Sequence, residues 1–157
     1  MTITKAQRIG RNKTFKSTLV VLVILLLLLL IEECKGDFAN GLLFFINGLV
    51  NIHALFILTI LFGLTYLFGG KAGKEIIIQR KNVLIVMLKY VPLISLAICF
   101  YAIALSLIRQ ESIDFADWKI QLTSNYIPLF MKTAFSLFLA WFWATNRIKA
   151  NLVPKTE

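Results

Sequence analysis

The segment YLFGGKAGKEIIIQRKN, Tyr66 to Asn82, holds three glycines and a Gly-Lys pair, the ingredients of a loop that cradles phosphate. Such a loop needs G-x-x-x-x-G-K followed by Ser or Thr, set between a strand and a helix. Its backbone N–H groups then converge on the phosphate and the hydroxyl reaches Mg²⁺. Here Phe68 stands five residues before Gly73, and Glu75 follows Lys74. The segment also follows an apolar run too long to be a strand. The nucleotide-binding reading fails, and residues 69–82 read as the turn between two membrane spans. In that reading Gly69 and Gly70 end a helix, and Lys71, Lys74, Arg80 and Lys81 form the surface best suited to docking a partner.

The other chemistry-bearing side chains are few. His53 is the sole histidine, and a zinc ion would take imidazole together with carboxylate or thiolate from Glu32, Glu33 or Cys34. No H-x-x-x-H or C-x-x-C spacing supports that set, so His53 reads as an interfacial polar residue bonded to a neighbour. Cys34 falls at a span boundary and Cys99 in mid-span, which suits neither a disulfide nor an activated thiol. Lys89 and Lys132 lie within apolar runs, where charge is costly and faces water, protein or, by snorkelling, the interface. No carboxylate falls in a span core to complete a proton relay. These residues assemble no catalytic, metal or cofactor constellation, and the expectation is a non-enzymatic protein without cofactor.

The elements that must position these residues are membrane helices. Of 157 residues 59% are hydrophobic and only 16% charged, against about 25% charged in ordinary soluble chains. The run STLVVLVILLLLLLI, Ser17 to Ile31, has no charge. Its basic flank resembles a signal-peptide front, but no small-x-small cleavage site follows, so it reads as a retained anchor. A hydrocarbon core of about 30 Å takes ~20 helical residues. Four spans are expected in one tetraspan domain over residues 1–157, near 16–33, 52–68, 83–108 and 126–144. Residues 38–51 read as a short interfacial segment capped by Asp37. Pro92 leaves the third span open between one tilted helix from Val83 and a span starting at Tyr90. In the latter case, residues 75–89 would form an interfacial element or a hairpin. Small residues for close helix contact are sparse in these spans, and no G-x-x-x-G falls inside them.

Charge distribution orients the chain. Residues 1–16, 69–82 and 145–157 carry five, four and three lysines and arginines, against one in 32–51 and two in 109–125. Under the positive-inside rule both termini are cytoplasmic. Trp141 and Trp143 then mark an inner aromatic belt, with Trp118 and Tyr126 on the outer side. Phe115, Trp118 and Leu122 make the last outer loop amphipathic and suited to lie on the membrane surface. The net charge of +9 follows from this topology and from contact with anionic headgroups, not from nucleic-acid binding.

The fold expectation is thus an all-α integral membrane protein with four transmembrane helices, both termini in the cytoplasm, and short interfacial segments outside. The composition suits a bacterial cytoplasmic membrane. The leading functional expectation is a small non-enzymatic subunit or accessory protein of a larger membrane complex, a hetero-complex before a homo-oligomer. The alternative is a small oligomeric channel or transporter using Lys89 and Lys132. A bacteriocin-immunity type of membrane protector fits the size without a motif to carry it.

Overall fold

The computed structural model describes residues 2–109 and 120–150, and these are almost wholly helical, with no strand among them. The helices are α1 (Ile3–Glu33), α2 (Phe38–Val50), α3 (Ile52–Ile77), α4 (Val83–Arg109) and α5 (Ile127–Ala150), the last entered through a π-helical turn, Leu122–Tyr126. Four of them, α1, α3, α4 and α5 with its π turn, are long and apolar enough to cross a membrane. They form a ring in the order α1, α3, α4, α5. One end of the ring carries the start of α1, the α3–α4 turn and the end of α5, and is called here the terminal end. The far end carries α2.

Local chemistry places most boundaries. The Thr2 hydroxyl accepts from Lys5 N at the start of α1. Asp37 caps α2, its carboxylate accepting from Ala39 N at 3.0 Å and Asn40 N at 3.3 Å, so the short separate helix expected there is present. Asn51 makes the corner into α3 by accepting from His53 N at 2.9 Å. Asn82 starts α4 by accepting from Leu84 N at 3.0 Å. Within α4, Pro92 is accommodated in one continuous helix. This removes the hairpin and gives the single helix from Val83. In α5, Pro128 lacks the N–H that would bond back one α-turn. The turn just before it is widened, with Ile127 N donating to Leu122 O.

Three helices run past the expected spans, all at the terminal end. Helix α1 begins at Ile3 rather than near Lys16, α5 continues to Ala150 rather than ending at Ala144, and α3 runs on to Ile77, so the turn is only residues 78–82. Gly69 and Gly70 do not end the helix; they lie inside it, buried. The stop is Arg80, at φ 50°, with Lys81 N donating to Glu75 O across the turn at 3.1 Å. That is the left-handed termination usually given to glycine.

The reason for the longer α3 is tertiary. Ala6, Gly10 and Thr14 of α1 face Thr65, Gly69 and Gly73 of α3, each set spaced by four residues. A Cβ at Gly73 would lie 2.7 Å from Gly10 Cα, and one at Gly69 would strike the Thr14 hydroxyl. Gly69-x-x-x-Gly73 is therefore a helix-contact motif, concealed when the segment is read as a turn. Close approach of this kind is how helices associate where lipid is as apolar as leucine. The Thr14 hydroxyl donates to Gly10 O at 2.9 Å, which satisfies it inside the contact.

The core lies at the same end. Buried positions on α1 stop at Thr18, those on α3 begin at Thr65, and those on α5 proper begin at Leu137. Trp141 is fully buried there with Met87, Ile94 and Ile148. It is not part of an interfacial belt, because α5 turns it toward α4. Trp143 is exposed, and the Arg147 guanidinium sits 4.2 Å above its ring. The expected amphipathic loop around Phe115 and Trp118 lies outside the described residues.

Candidate functional site

Glu75, on the last full turn of α3, is the meeting point of the terminal end. Its side chain is 11% exposed and takes Lys89 at 2.7 Å and Lys81 at 3.2 Å. The Tyr90 hydroxyl donates to the same oxygen as Lys89, at 2.5 Å. Three donors on one carboxylate tie α3, the turn and α4 together. Tyr90 is positioned from behind, stacked on Phe68 at 5.2 Å and tilted against Trp141 at 6.2 Å. Lys89 does not simply reach for the surface: its ammonium is held by Glu75 and lies 4.9 Å from the Tyr90 ring.

Beside this hub, between α3 and α4, lies a groove of about 540 Å³. Gln7, Lys71, Lys74, Gln79 and Lys89 line its polar part, and Phe68 and Leu93 its apolar part. The Lys71 ammonium lies 5.5 Å from the Phe68 ring, at this groove. Arg80 and Lys81 line a different hollow, together with Lys149 of α5. The four cations read from the sequence as one docking surface therefore divide between two hollows: Lys71 and Lys74 line the groove with Lys89, and Lys81 lines the other hollow with Arg80 while sharing the Glu75 carboxylate with Lys89.

Lys132 lies elsewhere. It borders a seam of about 480 Å³ between α1 and α5, lined by Leu22, Leu25 and Leu29 of α1 and Thr133 and Ser136 of α5, with Ile57 and Leu61 of α3 and Ile98 of α4 also in its wall. Thr18 also lines it, 3% exposed, with a hydroxyl that has no hydrogen-bond partner. The two ion pairs formed among the described residues both use Glu75, so neither involves Lys132. Lys89 and Lys132 are not brought to one passage.

The remaining candidates stay apart. His53 Nδ1 is 3.4 Å from the Tyr101 hydroxyl, linking the start of α3 to the later part of α4 at the far end. Cys34 and Cys99 are both free thiols. Among the described residues no three His, Cys, Asp or Glu side chains gather as metal ligands. Sequence reasoning missed Glu75, although it is the sole acid between Asp37 and Glu111 and sits amid the basic residues it pairs with. Comparison with protein-family models, curated proteins and solved structures finds no match for this chain.

Proposed function

We propose that this protein is a non-enzymatic membrane subunit that docks a transmembrane helix of a larger partner into its α1–α5 seam. The observation that carries this reading is the unequal finish of the bundle: the terminal end is packed, while the far half leaves an apolar seam with a cation at its edge. In hydrocarbon a lysine ammonium is costly unless it reaches water, headgroups or a counter-charge. A partner helix bearing a carboxylate or carbonyl at the matching depth would supply one. The proposed orientation has both termini in the cytoplasm, as the distribution of lysines and arginines favours. The bilayer is proposed to be a bacterial cytoplasmic membrane.

Gentle extraction from native membranes, followed by size analysis and mass spectrometry, tests the reading. The expected result is a stoichiometric larger membrane partner, cross-linked to α1 and α5 when photoreactive groups are placed at Leu25 or Ser136. A homo-oligomer with nothing else bound would overturn it. That result would favour an oligomeric channel, with Lys132 at the subunit contact.

A further inference from the structure

We infer that the groove between α3 and α4 at the terminal end binds the phosphate of an anionic lipid headgroup, with the acyl chains running along Phe68 and Leu93. Three cations, Lys71, Lys74 and Lys89, line this groove beside a single carboxylate, Glu75. Glu75 does not cancel them all. It holds Lys89 at 2.7 Å and takes Lys81 on its other oxygen. Lys71 and Lys74 have no such ion pair among the described residues. An ammonium has three N–H donors, so Lys89 retains donors for a second acceptor while Glu75 fixes its position. Its side chain is 50% exposed, which leaves that face open.

Depth selects a lipid over a soluble anion. Lys71 lies nineteen residues after Ile52 along α3, which is about 28 Å of helix and close to one hydrocarbon thickness. The amines therefore stand at headgroup level when α3 crosses the bilayer. Gln7 and Gln79 add amide donors at the polar rim, and Phe68 and Leu93 continue the groove toward the membrane interior. A groove that is cationic at one end and apolar at the other matches a phosphodiester joined to acyl chains. Basic pockets between membrane helices recognise acidic headgroups in the same way.

The test uses the full-length protein in nanodiscs of equal parts phosphatidylglycerol and phosphatidylcholine, with native mass spectrometry following the lipid retained on release. Wild type should keep phosphatidylglycerol in preference to phosphatidylcholine. The Lys71→Gln/Lys74→Gln double variant should lose that preference, its affinity falling about 30-fold for two amines removed near the headgroup. Arg80→Gln/Lys149→Gln removes the same charge from the neighbouring hollow and should retain the lipid. Circular dichroism checks that both variants remain helical. Equal retention of the two lipids by wild type, or equal losses in the two double variants, would overturn the site. Displacement of the lipid by millimolar inorganic phosphate would overturn its assignment to a lipid and assign the groove to a soluble anion.

Discussion

At the terminal end of the bundle α1 and α3 touch through glycine and threonine, and a Cβ on any of four glycines, Gly10, Gly69, Gly70 and Gly73, would meet the opposite helix. At the far end the same α1 presents Val23, Leu27, Leu28 and Ile31, each roughly half exposed. The sequence is more hydrophobic where the bundle is more open. In water that would be a contradiction; in a bilayer it is expected, because leucine gains little by leaving lipid for protein. Close approach of backbones, hydrogen bonds and ion pairs decide where helices hold together. The terminal end has all three, through Gly10, Gly69 and Gly73, the Thr14 hydroxyl and the Glu75 hub.

This contrast breaks most visibly at Gly73. Gly73→Leu must push α1 away along its first three turns; overpacking costs typically about 1–3 kcal/mol, and a backbone-to-backbone contact should sit at the top of that range. Leu25→Ala removes more apolar volume than one methylene from the seam, yet should cost less than about 0.5 kcal/mol, as changes at exposed sites do. Unfolding by denaturing detergent, followed through tryptophan fluorescence, compares the two. Similar losses for both variants would show that the glycine contact does not dominate the bundle.

The second effect is at Glu75. Glu75→Gln keeps the shape but removes the charge that three donors share, and hydrogen bonds to a charged group contribute about 1.5–3 kcal/mol. The two lysines are roughly half exposed and recover water when released, so the loss belongs chiefly to the buried Tyr90 and should be near the bottom of that range. Tyr90→Phe should cost less once Glu75 is Gln, whose carbonyl still accepts from the hydroxyl but only as a neutral group. Full additivity of the two substitutions would deny the coupling.

What could be read from the sequence divides along the same line. The far end was legible because its signals are local: an apolar run of the right length and Asp37 before a short apolar helix. The terminal end was not, because its signals are pairwise. Gly69-Gly70-Lys71-Ala72-Gly73 has the local propensity of a helix stop, each glycine costing about 1 kcal/mol in a helix. Only the opposing Ala6, Gly10 and Thr14 make those glycines favourable. The basic residues 3–16 likewise read as a tail until α3 lies against them. Trp141 near the end of an apolar run reads as a belt residue, and its burial depends on which way α5 is rotated. Glu75 was overlooked because a lone acid in a basic turn looks solvated unless Lys89 and Tyr90 are known to return beside it.

A third prediction sharpens the contrast by improving the terminal end. Arg80 holds φ 50°, where a side chain costs roughly 1–2 kcal/mol relative to glycine. Arg80→Gly should therefore stabilise the protein by about 1 kcal/mol, measured in the same detergent titration, since glycine's greater freedom when unfolded offsets part of the gain. A loss would mean that the Arg80 side chain contributes more to the turn than its backbone costs.

The smallest effect on stability, and the most informative about the open half, is expected at Lys132. Its side chain borders the seam and forms neither of the described ion pairs, so Lys132→Met should shift unfolding by less than about 0.5 kcal/mol. Association should respond far more. If a carboxylate on a partner helix faces Lys132, the methionine variant loses the partner on extraction, and Lys132→Glu loses it more completely because like charges would then meet in a low dielectric. The folded bundle of both variants should still show the Trp141 fluorescence of the packed end, which separates a lost partner from a lost fold. Retention of the partner by both variants would leave the seam apolar in function as well as in lining. The docking energy would then have to come from the shape between α1 and α5, with Lys132 doing no more than reaching the headgroups.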